Sequence, residues 1–253
     1  MEPNEVFSNP TVERVIFEIR FPNLFGMQNI IGDLQMKIIK EFPESALIHK
    51  QQIVFTEVNE EGSFPKPPTG DEPGIRKIWQ FKSPKKIQLD IQTDRLSLTS
   101  EHHKTYIEFR KVIENVMESL INILPIPILH RIGLRYIDKC PIPNMLNNAA
   151  FQEYYQTVFP LDRFDIQNTQ EMYFVTVTKR DEHLLVYRES LLLNITPPSY
   201  YLDFDGSSTE VKTDDYLQTT DALHRIISES YNRTIKEPVK EYMRKPKEGN
   251  DVN

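Results

Sequence analysis

The chain carries one cysteine, Cys140, one tryptophan and only eight glycines in 253 residues. A single thiol excludes an internal disulfide and suits a reducing compartment. No glycine-rich phosphate loop and no dinucleotide-binding fingerprint occurs. No apolar run approaches the roughly 18 residues of a membrane span. The opening Met1-Glu2-Pro3-Asn4-Glu5 also lacks the basic-then-apolar order of a secretory signal. The expectation is a soluble, cytoplasmic protein without a membrane partner. Positive charge is in deficit as well, with 30 Lys and Arg against 37 Asp and Glu for a net −7. That balance gives no support to a nucleic acid partner, although it leaves room for a local basic face.

What is present is an ordinary globular composition, 39% hydrophobic, 10% aromatic and 26% charged, punctuated by 18 prolines. The length fits one large domain or two smaller ones, and either buries a proper core. The alternation in Arg131-Ile132-Gly133-Leu134-Arg135-Tyr136-Ile137-Asp138 predicts a strand, with Ile132, Leu134 and Tyr136 on one side and the arginines on the other. A second stretch, 12–21, alternates alike: Val15, Phe17, Ile19 and Phe21 face one way, Arg14, Glu18 and Arg20 the other. Between them the pattern predicts a helix over 25–42 and a strand over 51–58 carrying Ile53 and Phe55. A surface loop over 59–74, strands at 75–81, 86–91 and 95–99, and a long helix over 104–124 complete that half. After the strand at 128–138 come a short helix near 146–157, strands at 170–178, 183–195 and 199–205, and a helix over 214–236.

Each half therefore reads as strand, helix, three or four antiparallel strands, long helix. The predicted fold class is α+β: two similar β-α-β(3–4)-α halves, curved antiparallel sheets with helices on one face. This order resembles the duplicated saddle of the TATA-binding protein, a topological likeness that fixes no function. The expected boundaries are 1–125 for the N-terminal half, 126–236 for the C-terminal half and 237–253 for a flexible tail.

Three stretches carry a further resemblance. They are Asn9-Pro10-Thr11-Val12-Glu13-Arg14-Val15-Ile16-Phe17-Glu18-Ile19-Arg20-Phe21, Ile78-Trp79-Gln80-Phe81 followed by Asp94-Arg95-Leu96-Ser97-Leu98, and the central motif 131–138. With these the chain resembles a sporadically distributed, uncharacterised family of prokaryotic proteins of about this size. The resemblance covers most of the chain and implies a bacterial or archaeal source, but no activity. Sporadic distribution hints at an accessory role in a mobile or defence-associated system.

Several constellations can carry chemistry. Arg14, Glu18, Arg20, Arg131 and Arg135 lie on the polar sides of the two opening strands, where a guanidinium fork matches carboxylate or phosphate. The plainer reading is a lattice of ion pairs, such as Glu18 with Arg135, stapling the halves together. Asp203-Phe204-Asp205-Gly206 is expected to set two carboxylates on one face of a strand end, before a glycine turn. Such a pair can hold Mg²⁺ or act as acid and base, or can simply be solvated. Glu101-His102-His103 has metal-type ligands, but neighbouring residues on a strand point apart, so no metal is expected. His49, His130, His183 and His224 are scattered without an evident Ser, Cys or acid partner. Tyr200, Tyr201, Phe204, Trp79 and Phe81 can stack bases on an open sheet, but read first as core. Cys140 shows no activating neighbour.

No catalytic residue and no cofactor is expected from these patterns, and whether the chain is an enzyme stays open. The preferred expectation is a non-enzymatic binding or assembly protein, with a protein partner or a second copy of itself. The alternative is an enzyme acting on phosphodiesters or nucleotides through Asp203, Asp205 and the strand arginines.

Overall fold

The computed structural model describes residues 6–51 and 75–246. The strand expected over 51–58, the loop expected over 59–74, and the ends 1–5 and 247–253 lie largely outside the described residues. Among these residues the elements run β1 (Val12–Arg20), α1 (Met27–Ile38), β2 (Glu44–Gln51), β3 (Ile75–Lys82), β4 (Ile87–Ile91), β5 (Arg95–Ser100) and α2 (Tyr106–Ile121). They continue with β6 (Ile128–Cys140), α3 (Asn148–Tyr154), β7 (Glu171–Arg180), β8 (His183–Leu192), β9 (Ser199–Lys212), α4 (Tyr216–Thr234) and α5 (Glu237–Arg244). The class is mixed α+β. No described helix is long and apolar enough to cross a membrane.

All nine strands join one antiparallel sheet in the order β2-β3-β4-β5-β1-β6-β9-β8-β7. Two separate sheets were the expectation. They are one because β1 and β6 pair directly, from Val12 opposite Asp138 to Arg20 opposite Arg131. Each of these strands would otherwise present an unpaired backbone edge, and pairing satisfies both. From that seam the strands run outward as β5-β4-β3-β2 on one side and β9-β8-β7 on the other.

Period-two alternation decides which face is buried. Val15, Phe17 and Ile19 of β1, Ile132 and Leu134 of β6, Leu96 and Leu98 of β5, and Leu202 and Phe204 of β9 are wholly buried in a single core. The five helices send their apolar stripes into this same core: Leu34 and Ile38 from α1, Phe109, Ile113 and Val116 from α2, Phe151 from α3, Leu223 and Ile227 from α4, Val239 and Met243 from α5. The opposite face of the sheet carries none of the described helices. We call it the open face.

Local chemistry fixes the ends. Thr105 caps α2, its side chain accepting from the Glu108 N–H at 3.2 Å. Asn147 caps α3 through the Ala150 N–H at 2.9 Å. α1 starts at Met27 rather than 25, because the Met27 N–H bonds back to the Leu24 carbonyl at 3.0 Å and makes a turn there. β2 begins directly after Pro43, in a stretch where no strand was expected. Its apolar residues are sparse, and its pairing with β3 positions it.

Two further expectations are corrected. Residues 237–244 are helix α5, not flexible tail. Val239 and Met243, four apart, are buried, and the Asn9 N–H bonds to the Met243 carbonyl at 2.9 Å. The charged composition hid this amphipathic turn. Gly206 is not a turn either, because β9 continues through it to Lys212. A β-carbon at Gly206 would sit 3.4 Å from both Leu223 Cδ2 and Ile227 Cδ1. A single β-carbon would just reach contact with α4, so any side chain larger than alanine would press on the helix.

The Gly206→Val substitution is accordingly expected to overpack this contact and lower stability by about 1–3 kcal/mol in urea denaturation. Unchanged stability would show that α4 does not depend on the close approach.

Candidate functional site

The centre of the open face holds most of the residues singled out from the sequence. Glu18 of β1 lies opposite Gly133 of β6, which lies opposite Ser207 of β9. The missing side chain at Gly133 is occupied by its neighbour: a β-carbon there would meet Arg131 Nη1 at 2.4 Å. Arg131 thus lies along its own strand over the glycine. From that position Nη1 donates to Glu18 Oε1 at 3.1 Å and Nη2 to Asp205 Oδ1 at 3.1 Å. Arg20 Nε donates to the same Glu18 oxygen at 2.9 Å. One guanidinium therefore joins three strands, and with them the two halves of the chain.

A second knot sits beside it. Arg135 holds Asp203 with both prongs, Nε to Oδ1 at 2.8 Å and Nη2 to Oδ2 at 2.6 Å. Arg188 of β8 adds Nη1 to Oδ2 at 3.2 Å. The hydrogen bond to Asp203 raises the Arg135 pKa above its ordinary value, with the charges of Asp203 and Asp205 adding to it. The Asp203 side chain is only 11% exposed, so the pairing compensates a largely desolvated charge. Four arginines meet three carboxylates across these two knots.

The expected Glu18–Arg135 pair does not form. In the register Arg135 stands opposite Ile16 and Asp205, while Glu18 stands opposite the glycine that Arg131 fills. Arg14 lies apart, 3.7 Å from Glu101 on an exposed surface. Asp203 and Asp205 do share a face, as expected, but in mid-strand with guanidinium partners rather than at a strand end.

The other candidates disperse. Glu101 turns to Arg14, His102 Nε2 lies 3.2 Å from Lys86 Nζ, and His103 packs edge-on against Tyr136 and Phe109. Among the described residues no three His, Cys, Asp or Glu side chains gather as a metal site would require. His49 and His130 are exposed. His183 is buried, with Nδ1 2.6 Å from Ser208 Oγ, a contact that ties β8 to β9. Its acidic neighbour, Glu182, is 3.9 Å away and solvent-facing. Tyr200 and Phe204 belong to the core, as does Phe81, and Trp79 packs on it. Of the quoted aromatics only Tyr201 shares the open face, with Lys139 Nζ 5.9 Å from its ring centre. Burial pushes the Cys140 thiol well above its usual pKa.

Sequence reasoning missed Arg188, whose strand parity places it on the open face, and the role of Gly133. An isolated glycine within a strand is itself a signal of close approach. It also missed a polar cluster in the core. Asp138 is buried and accepts from Thr11 Oγ1 at 2.8 Å. Burial lifts its carboxyl to about 7, the Thr11 hydrogen bond opposing and the Asp203 charge assisting. A cavity of about 100 Å³ lies beside it, lined by Val12, Tyr136, His224 and Tyr231. The buried Tyr136 hydroxyl has no hydrogen-bond partner among the described residues. His224 stacks on Tyr106 at 3.7 Å, and burial holds it down to about 4 despite Asp221. His103 is also held to about 4, by burial and then by His224. A larger cavity, about 700 Å³, opens elsewhere between Lys85, Lys86, Lys104, Lys111 and the start of α2.

The chain matches no protein-family model and no curated protein.

The guanidinium bridge makes a non-additive prediction. Arg131→Ala is expected to cost about 1 kcal/mol, in the range of partly exposed ion pairs. Gly133→Ala should cost a similar amount in the native background by displacing Arg131. In the Arg131→Ala background it should be neutral or stabilising, since alanine restricts the unfolded chain. Equal costs in both backgrounds, read from chemical denaturation, would separate the glycine from the arginine.

The core cluster makes a pH prediction. Between pH 4 and 6.5, His103 and His224 are neutral when folded but gain protons when unfolded, so each loses stability on acidification. Asp138 is protonated when folded and ionised when unfolded, so it contributes the opposite sign. Two terms against one leave these groups destabilising toward acid. Asp138→Asn should therefore steepen the acid-side fall in stability, measured by denaturation across that window. A shallower fall would contradict the assignment.

Proposed function

We propose that the chain is a non-enzymatic binding or assembly module whose open sheet face and β7 edge receive a protein partner. One contrast carries the reading. Asp203 and Asp205, the carboxylates an enzyme would use, are tied to Arg135, Arg188 and Arg131 at 2.6–3.2 Å. β7, by comparison, ends the sheet among the described strands and exposes Tyr173 at 61%, Val175 at 60% and Val177 at 61%. These three residues alternate onto the open face, since Val175 stands opposite Arg188 in the register. An apolar strip along an unpaired edge is the surface that strand addition uses.

The proposal extends to the architecture. It takes β1 and β6 as equivalent lead strands of a saddle-like duplication. In support, each is followed by a helix, a run of antiparallel strands and a long helix, and the strand order runs outward from both. The prokaryotic source and accessory role implied by the central motif 131–138 belong to the same proposal.

The test compares tagged full chain with its Val175→Lys variant in cell extract. Binding predicts one or more proteins retained by the native chain and lost with the variant. A phosphodiester assay with bis(p-nitrophenyl) phosphate runs beside it. Turnover that disappears in both Asp203→Asn and Asp205→Asn would overturn the reading in favour of an enzyme.

A further inference from the structure

Among the described residues, the middle of β7 carries none of the usual protections of an edge strand. From Met172 to Thr178 it has no charge, no proline and no bulge in its ten-residue pairing with β8. Charge stands only at its two ends, Glu171 at the start and Lys179-Arg180 at the finish. This arrangement is complementary to itself. Laid antiparallel against a second copy about a twofold axis through Val175, perpendicular to the sheet, Glu171 falls opposite the partner's Lys179. Tyr173 falls opposite the partner's Val177, Val175 opposite the partner's Val175, and Phe174 opposite the partner's Thr176. Every pair shares a face, because the axis carries open face to open face.

Other registers that keep the faces matched fare worse. A slip of two residues one way sets Glu171 against the partner's Val177, and two the other way sets Tyr173 against the partner's Lys179. Either slip loses both terminal ion pairs and places charge against apolar side chains. The centred register alone matches apolar with apolar and acid with base.

We propose that β7 pairs with β7 of a second copy in this centred register, joining two nine-stranded sheets into one continuous sheet. This rests on the binding-module reading and names its partner. Dimer formation extends the open face, so that the arginine–carboxylate knots of both copies lie on one surface. It also buries the apolar strip of each copy against its equivalent.

Sedimentation of the purified full chain tests this. The native protein is expected to be a dimer. Val175→Lys, which sets two ammonium groups face to face across the axis, should be monomeric. Lys179→Glu should weaken the dimer about tenfold by opposing two carboxylate pairs. Combining it with Glu171→Lys should restore native affinity, a rescue that misfolding would not give. A monomeric native chain, or a dimer indifferent to Val175→Lys and to the single charge reversal, would overturn the proposal. If the native chain is monomeric while Val175→Lys still loses proteins from extract, the second copy is refuted and the binding reading stands.

Discussion

The placement of Arg131 over Gly133 is the constraint on which the rest of the structure turns. β1 and β6 lie some 110 residues apart in sequence, with Glu18 and Arg131 separated by 113 positions. Closing so long a loop costs entropy that backbone pairing and burial of the apolar face have to offset. A guanidinium stretched between Glu18 and Asp205 adds charge-assisted hydrogen bonds at that seam. It can do so only because residue 133 has no side chain. Both faces of the seam then cooperate: apolar residues lock below it, and ion pairs lock above.

The same residues bear on function. A carboxylate already gripped by one or two arginines has its charge compensated and its lone pairs engaged, so it is poorly placed to hold a metal. The open face is therefore polar in composition but internally satisfied over its centre. In the proposed reading, recognition falls to its margin, where β7 shows apolar side chains at the end of the described sheet. Rigid centre and sticky edge are complementary features: a well-fixed sheet presents its edge without paying again to order it.

Much of this was legible in the sequence, and for identifiable reasons. β1 and β6 were readable because both faces obey a period of two over many residues. α2 and α4 were readable because their apolar stripes are long. β2 was not, since Glu44–Gln51 has few buried positions and is specified by its neighbour β3. α5 was masked by charge around just two anchors, Val239 and Met243. At the site, the residue types were legible but their pairing was not. Which acid meets which arginine depends on Glu18 standing opposite Gly133, a register that exists only once β1 and β6 are known to be neighbours. Gly206 shows the same limit, since a glycine directly after Asp205 reads as a turn until a helix is found packed against it.

The central claim is that the β1–β6 seam makes one cooperative sheet of the two halves. Native-state hydrogen exchange at rising denaturant measures this directly, by reading the opening free energy of each backbone amide. The account predicts that the slowest amides of β1, β5, β6 and β9 merge into a single opening that coincides with global unfolding. If β1 and β5 open at a distinctly lower free energy while β6 and β9 stay protected, the halves are separate folding units and the seam does not hold them.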